Sequence, residues 1–156
     1  MDDKIKNLVG KTIKRIFFNE NYLRFDTDDG NFTFNVEGDC CSRSYFYDFY
    51  GVKNLLENGK VLEVKEVELE PKDIIEQGKD DFGNNKDKKY SDEDIQVYGY
   101  QLTTESPKFG TVTSVFSFRN YSNGYYGGWM EECENIKVEP EIFDDVIVTE
   151  GRELED

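Results

Sequence analysis

A chain of 156 residues is long enough for one domain whose core needs no metal or disulfide staple. Its net charge of −15 opposes direct binding to nucleic acid, and no apolar run approaches the length of a membrane span. Alanine and histidine are both absent while Phe and Tyr number 12 and 10, which favours strands over helices and removes imidazole chemistry.

The opening MDDKIKNLVGK has neither the apolar stretch nor the small-residue cleavage site of a secretory signal. With an odd cysteine count as well, the sequence predicts a reduced, cytoplasmic protein. KTIKRIFF (11–18) and NYLRFDT (21–27) read as two strands joined at Asn19-Glu20, and Asp28-Asp29-Gly30 is turn chemistry. NFTFNV then alternates, with Phe32, Phe34 and Val36 on one face, so three consecutive strands form a meander.

Next comes GDCCSRSYFYDFYG (38–51), two adjacent cysteines ahead of five aromatic residues. A zinc site needs about four Cys or His ligands, and the chain offers only Cys133 besides this pair. A redox pair is normally spaced as CxxC, and a nucleophilic thiol wants a general base. Packing is the reading that remains: Gly38-Asp39 makes a turn, and Cys40 and Cys41 are expected to be buried as small apolar residues among the rings.

VKNLLEN (52–58) predicts a short helix closed by Gly59, and VLEVKEVELE (61–70) a strand stopped by Pro71. Residues 72–94 are charged and rich in Gly, Asn and Asp, which predicts a flexible insertion with one helical turn at DIIEQ. DIQVYGYQLTTE (94–105) and FGTVTSVFSFRNY (109–121) predict two long, nearly uncharged central strands. YSNGYYGGW (121–129) is a Gly-Asn turn studded with aromatics, and Ile136, Val138, Ile142, Phe143, Val146 and Val148 support one or two final strands. The expected fold is α+β and mostly antiparallel β: a single twisted sheet, or a partly open barrel or sandwich, with one or two short helices. One domain spans 1–150, and GRELED (151–156) is a frayed acidic tail.

Acidity is unevenly placed. Residues 63–94 carry 12 acids and 6 bases, and residues 131–156 carry 11 acids and 2 bases, around a nearly neutral stretch. Glu66, Glu68 and Glu70 fall on one strand face at intervals of roughly 6.6 Å, of the order of the phosphate spacing in an extended nucleic-acid strand. The alternative is a solvated face that keeps the protein soluble. No pair of carboxylates stands out as a catalytic acid and nucleophile, so no enzyme activity and no cofactor are expected.

GDCCSRSYF together with NYSNGYYGGW resembles a small uncharacterised family found in bacteriophages, prophages and their bacterial hosts, over roughly residues 8–150. Tyr45 stands where relatives are expected to carry Trp. The resemblance implies a phage-related setting, in the host cytoplasm, and brings no catalytic residues. In that setting the sequence predicts a non-enzymatic, anti-CRISPR-like inhibitor of a host nucleic-acid-directed defence enzyme. It would dock its acids, as a DNA mimic, on the groove of a basic host protein. The docking residues would be Glu66, Glu68, Glu70, Glu131, Glu132, Glu134, Asp144 and Asp145, with Tyr125, Tyr126 and Trp129 as anchors. The competing reading is a small-ligand module with a pocket between the GDCCS and SNGYYGG turns, lined by Tyr45, Phe46, Tyr125 and Trp129.

Overall fold

In a computed structural model, residues 3–69, 74–76, 88–90, 95–122 and 127–148 are described. The meander is β1 (Ile13–Phe18), β2 (Tyr22–Thr27) and β3 (Gly30–Gly38). Asn19 fixes the first hairpin, its side-chain oxygen accepting from the backbone N–H groups of Asn21 and Tyr22, both at 2.9 Å. Gly30 takes a φ of 105° in the second turn, a backbone state that favours glycine there. β4 (Arg43–Tyr50), helix α1 (Val52–Leu56), β5 (Val61–Glu68), β6 (Ile74–Glu76), β7 (Lys88–Tyr90), β8 (Ile95–Ser106) and β9 (Gly110–Tyr121) follow. β10 (Gly128–Cys133), β11 (Glu141–Ile142) and β12 (Val146–Ile147) complete the order.

Ten of these strands make two antiparallel five-stranded sheets, ordered β10-β3-β2-β1-β11 and β12-β4-β9-β8-β5, and β6 and β7 pair separately. Of the expected architectures, the two-sheet sandwich is the one formed. The long, nearly uncharged β8 and β9 lie inside the second sheet, because their alternating apolar rows need cover on the inner face. Phe18, Phe25 and Phe34 of the first sheet meet Phe46, Phe49, Phe116 and Phe118 of the second, all at most 2% exposed. Rings meet edge-on or tilted at centroid distances such as 5.4 Å for Phe18–Phe49 and 6.5 Å for Phe25–Phe116.

β4 contributes to this core through a bulge. Phe46 opposes Phe118 and Phe49 opposes Phe116, so Tyr47 and Asp48 share the space facing one residue, Ser117. Both phenyl rings therefore point inward although three positions apart, which hides the strand from a search for strict alternation. A 3-10 helix at Asp3–Leu8 buries Ile5 and Leu8 beside β5 and β10, and α1 buries Val52 and Leu55 against β9 and β1.

After β10 the chain runs as a strap over the outer face of the first sheet to reach its far edge at β11. Arg24 Nη1 donates to the Ile136 carbonyl at 2.8 Å, and Thr33 Oγ1 donates to Asn135 Oδ1 at 3.0 Å. Asn19 Nδ2 donates to the Glu139 carbonyl at 2.8 Å.

One expectation is corrected. Ile74–Glu76, predicted as a helical turn within the insertion, is a strand paired with Lys88–Tyr90. The insertion's remaining residues and the tail at 151–156 lie outside the described residues. No described helix is long and apolar enough to cross a membrane.

Candidate interaction surface

The two sequence motifs meet. Gly38, which opens GDCCS, pairs with Gly128 at the start of β10, and Asp39 donates its N–H to the Gly127 carbonyl at 3.2 Å. The hinge of this junction is Asn120, fully buried at the end of β9. Its amide nitrogen donates to Ser42 Oγ at 3.1 Å and Ser44 Oγ at 3.0 Å, while Ser44 Oγ donates to the Glu37 carbonyl at 2.6 Å. Tyr98 Oη donates to Gln96 Oε1 at 2.6 Å and accepts the Gly128 N–H at 3.3 Å. A methyl group on Gly128 would lie 2.2 Å from Ser44 Oγ, and one on Gly38 2.5 Å from Ser42 Oγ. The glycines are there because the polar groups leave no room for a Cβ.

The expected pocket falls partly outside the described residues. The turns are neighbours, and Ser42, Ser44 and Asn120 pack closely where Gly38 meets Gly128. Tyr45 and Phe46 are at most 1% exposed and present no open lining. Tyr125 and Tyr126 lie outside the described residues. Asn120 Oδ1 has no hydrogen-bond partner among the described residues, a buried acceptor left unmet at the centre of the junction.

The cysteines are not packing residues. Cys40 and Cys41 are both exposed free thiols at the tip of the turn, and Cys133 is half-buried on β10. The expectation of burial failed because the turn that Ser42 and Gly38 tie to Asn120 sends the intervening residues outward. Among the described residues no group of three or more Cys, Asp or Glu is placed to hold a metal ion.

The acidic residues fall on separate edges. Glu66 and Glu68 are exposed on β5, the edge strand of the second sheet, opposite Tyr100 and Tyr98 in register. Tyr100 Oη donates to Glu66 Oε1 at 3.4 Å. Glu70 lies outside the described residues. Glu131 and Glu132 lie on β10, the edge strand of the first sheet, with Glu134 just beyond it. Charged side chains on such edges also oppose strand pairing with other molecules. Asp144 and Asp145 also have partners within the chain: Asp145 Oδ1 accepts the Val52 N–H at 3.0 Å as α1 begins, and Asp144 pairs with Lys53 at 3.0 Å. They sit by β12, four strand positions from β5, or about 19 Å across the sheet.

What the structure does gather is an aromatic, acidic edge at β10. Trp129 is 39% exposed, with its indole N–H donating to Glu131 Oε2 at 3.4 Å, and it lies opposite Glu37 in register. Glu37, Asp39 and Glu131 are exposed beside it.

Sequence reasoning missed a second polar cluster, on the outer face of the second sheet. Ser117 Oγ donates to Asp48 Oδ1 at 2.5 Å, and the Arg119 guanidinium lies 3.7 Å from the centre of the Tyr47 ring. Burial pushes the Asp48 carboxyl above its ordinary range, with the Ser117 hydrogen bond and the Arg119 charge pulling it partly back. The folded state therefore holds this proton more tightly than the unfolded chain. Stability falls as pH rises through the window between the ordinary carboxylate value and the raised one. Asp48→Asn keeps an acceptor for Ser117 and is expected to raise the thermal midpoint at neutral pH, with the gain shrinking as pH falls into the carboxylate range. Parallel melts of both proteins across pH check this. A variant less stable than wild type at neutral pH would show that attraction to Arg119 outweighs burial.

An antiparallel β-sandwich with a tryptophan and carboxylates on one sheet edge is thus the class of protein this fold defines. The chain belongs to the DUF7448 family: the model of this domain of unknown function matches residues 6–131. It is similar to an uncharacterised protein of Acanthamoeba polyphaga mimivirus, 31% identical over 128 residues, which cover 76% of this chain and 84% of the relative. The family is thus an uncharacterised one with a viral member. No solved structure matches the chain.

Proposed function

We propose that the protein is a non-enzymatic interaction protein that docks the β10 edge on a basic partner. The observation that carries the reading is Trp129, exposed beside Glu131 and Glu37 on an edge strand that the neighbouring turn holds in place. Tryptophan is enriched among residues that dominate binding energy, and a ring flanked by carboxylates suits a surface rich in Lys and Arg. The net charge of −15 adds long-range steering toward such a surface. Glu66 and Glu68, on the edge of the other sheet, offer a second row of like charge.

A viral relative supports a viral or phage-related setting. In that setting the class of partner that fits is a host nucleic-acid-directed defence enzyme, whose basic groove the acidic edge would occupy. Inhibition of a CRISPR effector is one form of this proposal.

The test is capture from a host-cell lysate on the immobilised protein at low and high salt, with mass-spectrometric identification of what is retained. The expected result is a basic, nucleic-acid-binding protein held at low salt and released at high salt. Trp129→Ala should weaken that binding by roughly 30-fold, the equivalent of about 2 kcal/mol for a binding hot spot, and Glu131→Lys should also weaken it. Binding that ignores salt and both substitutions would sink the reading.

A further inference from the structure

The turn between β3 and β4 brings two surface thiols into contact. Cys40 and Cys41 Sγ are 3.1 Å apart, and both residues are exposed. Adjacency in sequence does not supply this, since successive side chains of an extended chain point to opposite sides. It follows from the backbone: Cys41 has a φ of 69°, a left-handed state that a residue other than glycine keeps only when its surroundings hold it. Those surroundings are visible. Ser42 donates both its N–H, at 3.1 Å, and its Oγ–H, at 2.6 Å, to the Asp39 carbonyl. Asp39 is in turn bonded to Gly127, and Ser42 Oγ accepts from Asn120.

We propose that Cys40 and Cys41 are a reversible vicinal dithiol, oxidised by low-molecular-weight disulfides such as glutathione disulfide to a disulfide closed through their shared peptide bond. One protein thiol loses its proton, and the thiolate attacks a sulfur of the oxidant. That forms a mixed disulfide and releases one glutathione thiolate. The second protein thiol, also deprotonated, attacks the protein sulfur of the mixed disulfide, forms the Cys40–Cys41 bond and expels the second glutathione thiolate. Two protein thiols are oxidised, one glutathione disulfide is reduced, and the two protons end on the two glutathione thiols.

Geometry makes the product a switch and not a staple. Cα atoms joined by a trans peptide are about 3.8 Å apart, below the usual range of about 4.4–6.8 Å for a disulfide. A bond closed at that spacing is strained, and strained, exposed disulfides are the easily reduced ones. Cys133 does not compete as a partner. It lies opposite Thr33 while Gly128 lies opposite Gly38, five residue steps or about 17 Å along β10. The chemistry is independent of what docks on β10.

The full chain is equilibrated with mixtures of glutathione and glutathione disulfide, quenched with acid, alkylated, and mapped by mass at the peptide containing the turn. Wild type is expected to lose two hydrogens there, carry no glutathione, follow the glutathione ratio and reopen with dithiothreitol. Cys40→Ser and Cys41→Ser should each stop at a stable glutathione adduct, since each lacks the resolving thiol. Wild type that accumulates glutathione adducts, or keeps two alkylatable thiols throughout, overturns the proposal, and the wild-type result decides even if a variant misfolds.

Discussion

Phe49→Ala is expected to lower the free energy of unfolding by about 3–5 kcal/mol, a large part of the roughly 5–15 kcal/mol that holds a domain folded. Phe49 is fully buried on β4 and meets rings from both sheets: Phe18 at 5.4 Å, Phe25 at 6.3 Å and Phe116 at 5.4 Å. Removing it opens a cavity that both sheets line, and paired strands cannot close in to fill it. Urea denaturation followed by far-ultraviolet circular dichroism measures the loss. Phe109→Ala, at a residue 69% exposed, is the control and should change stability by less than about 0.5 kcal/mol. A Phe49 variant as stable as that control would mean the sheets are held together by something other than this ring cluster.

Gly128→Ala is expected to destabilise by about 1–3 kcal/mol, the usual effect of overpacking a filled site. The added methyl would stand 2.2 Å from Ser44 Oγ and 3.0 Å from both Asn120 Nδ2 and the Glu37 carbonyl. Ser44 cannot simply turn away, because its hydroxyl is bonded to Glu37 and accepts from Asn120. Adding Ser44→Ala removes the colliding oxygen, so the double variant should lose less than the sum of the two single losses. A double-mutant cycle in urea gives the coupling directly. Strict additivity would mean that the strand ends part to admit the methyl, and that the junction is looser than its hydrogen bonds suggest.

The parts of the fold that depend on local pattern were legible in the sequence. Phe32, Phe34 and Val36 alternate cleanly, and Gly30 marks its turn, so the meander could be placed to within a residue or two. The nearly uncharged β8 and β9 were readable for the same reason. β4 was not identified as a strand, because its bulge puts Phe46 and Phe49 inward at a spacing that fits no regular strand. β10 was missed because Met130 is its one fully buried apolar residue, set among acids that look like a solvated run. Cys40 and Cys41 were misplaced because free cysteines are usually buried, and a composition rule carries no knowledge of a turn tied to Asn120, some 80 residues away in sequence. The ion pair of Asp144 with Lys53 joins positions 91 residues apart, so it could not be read from local sequence. Of the candidate surface, the nearness of the two turns was implied by the pocket reading, and Trp129 is exposed, as an anchor has to be. Why glycine stands at Gly38 and Gly128 was not legible, since the reason is a contact between distant strands.

The strap that leaves β10 and crosses the first sheet bears on how much of this polypeptide is one folding unit. Similarity to the family model stops at residue 131, within β10. Yet the next residues hold Thr33 and Arg24 through Asn135 and Ile136, then give each sheet an outermost strand, β11 on one and β12 on the other. A polypeptide ended where the similarity ends would keep the meander but lose one rim of each sheet and bare a face built to be covered.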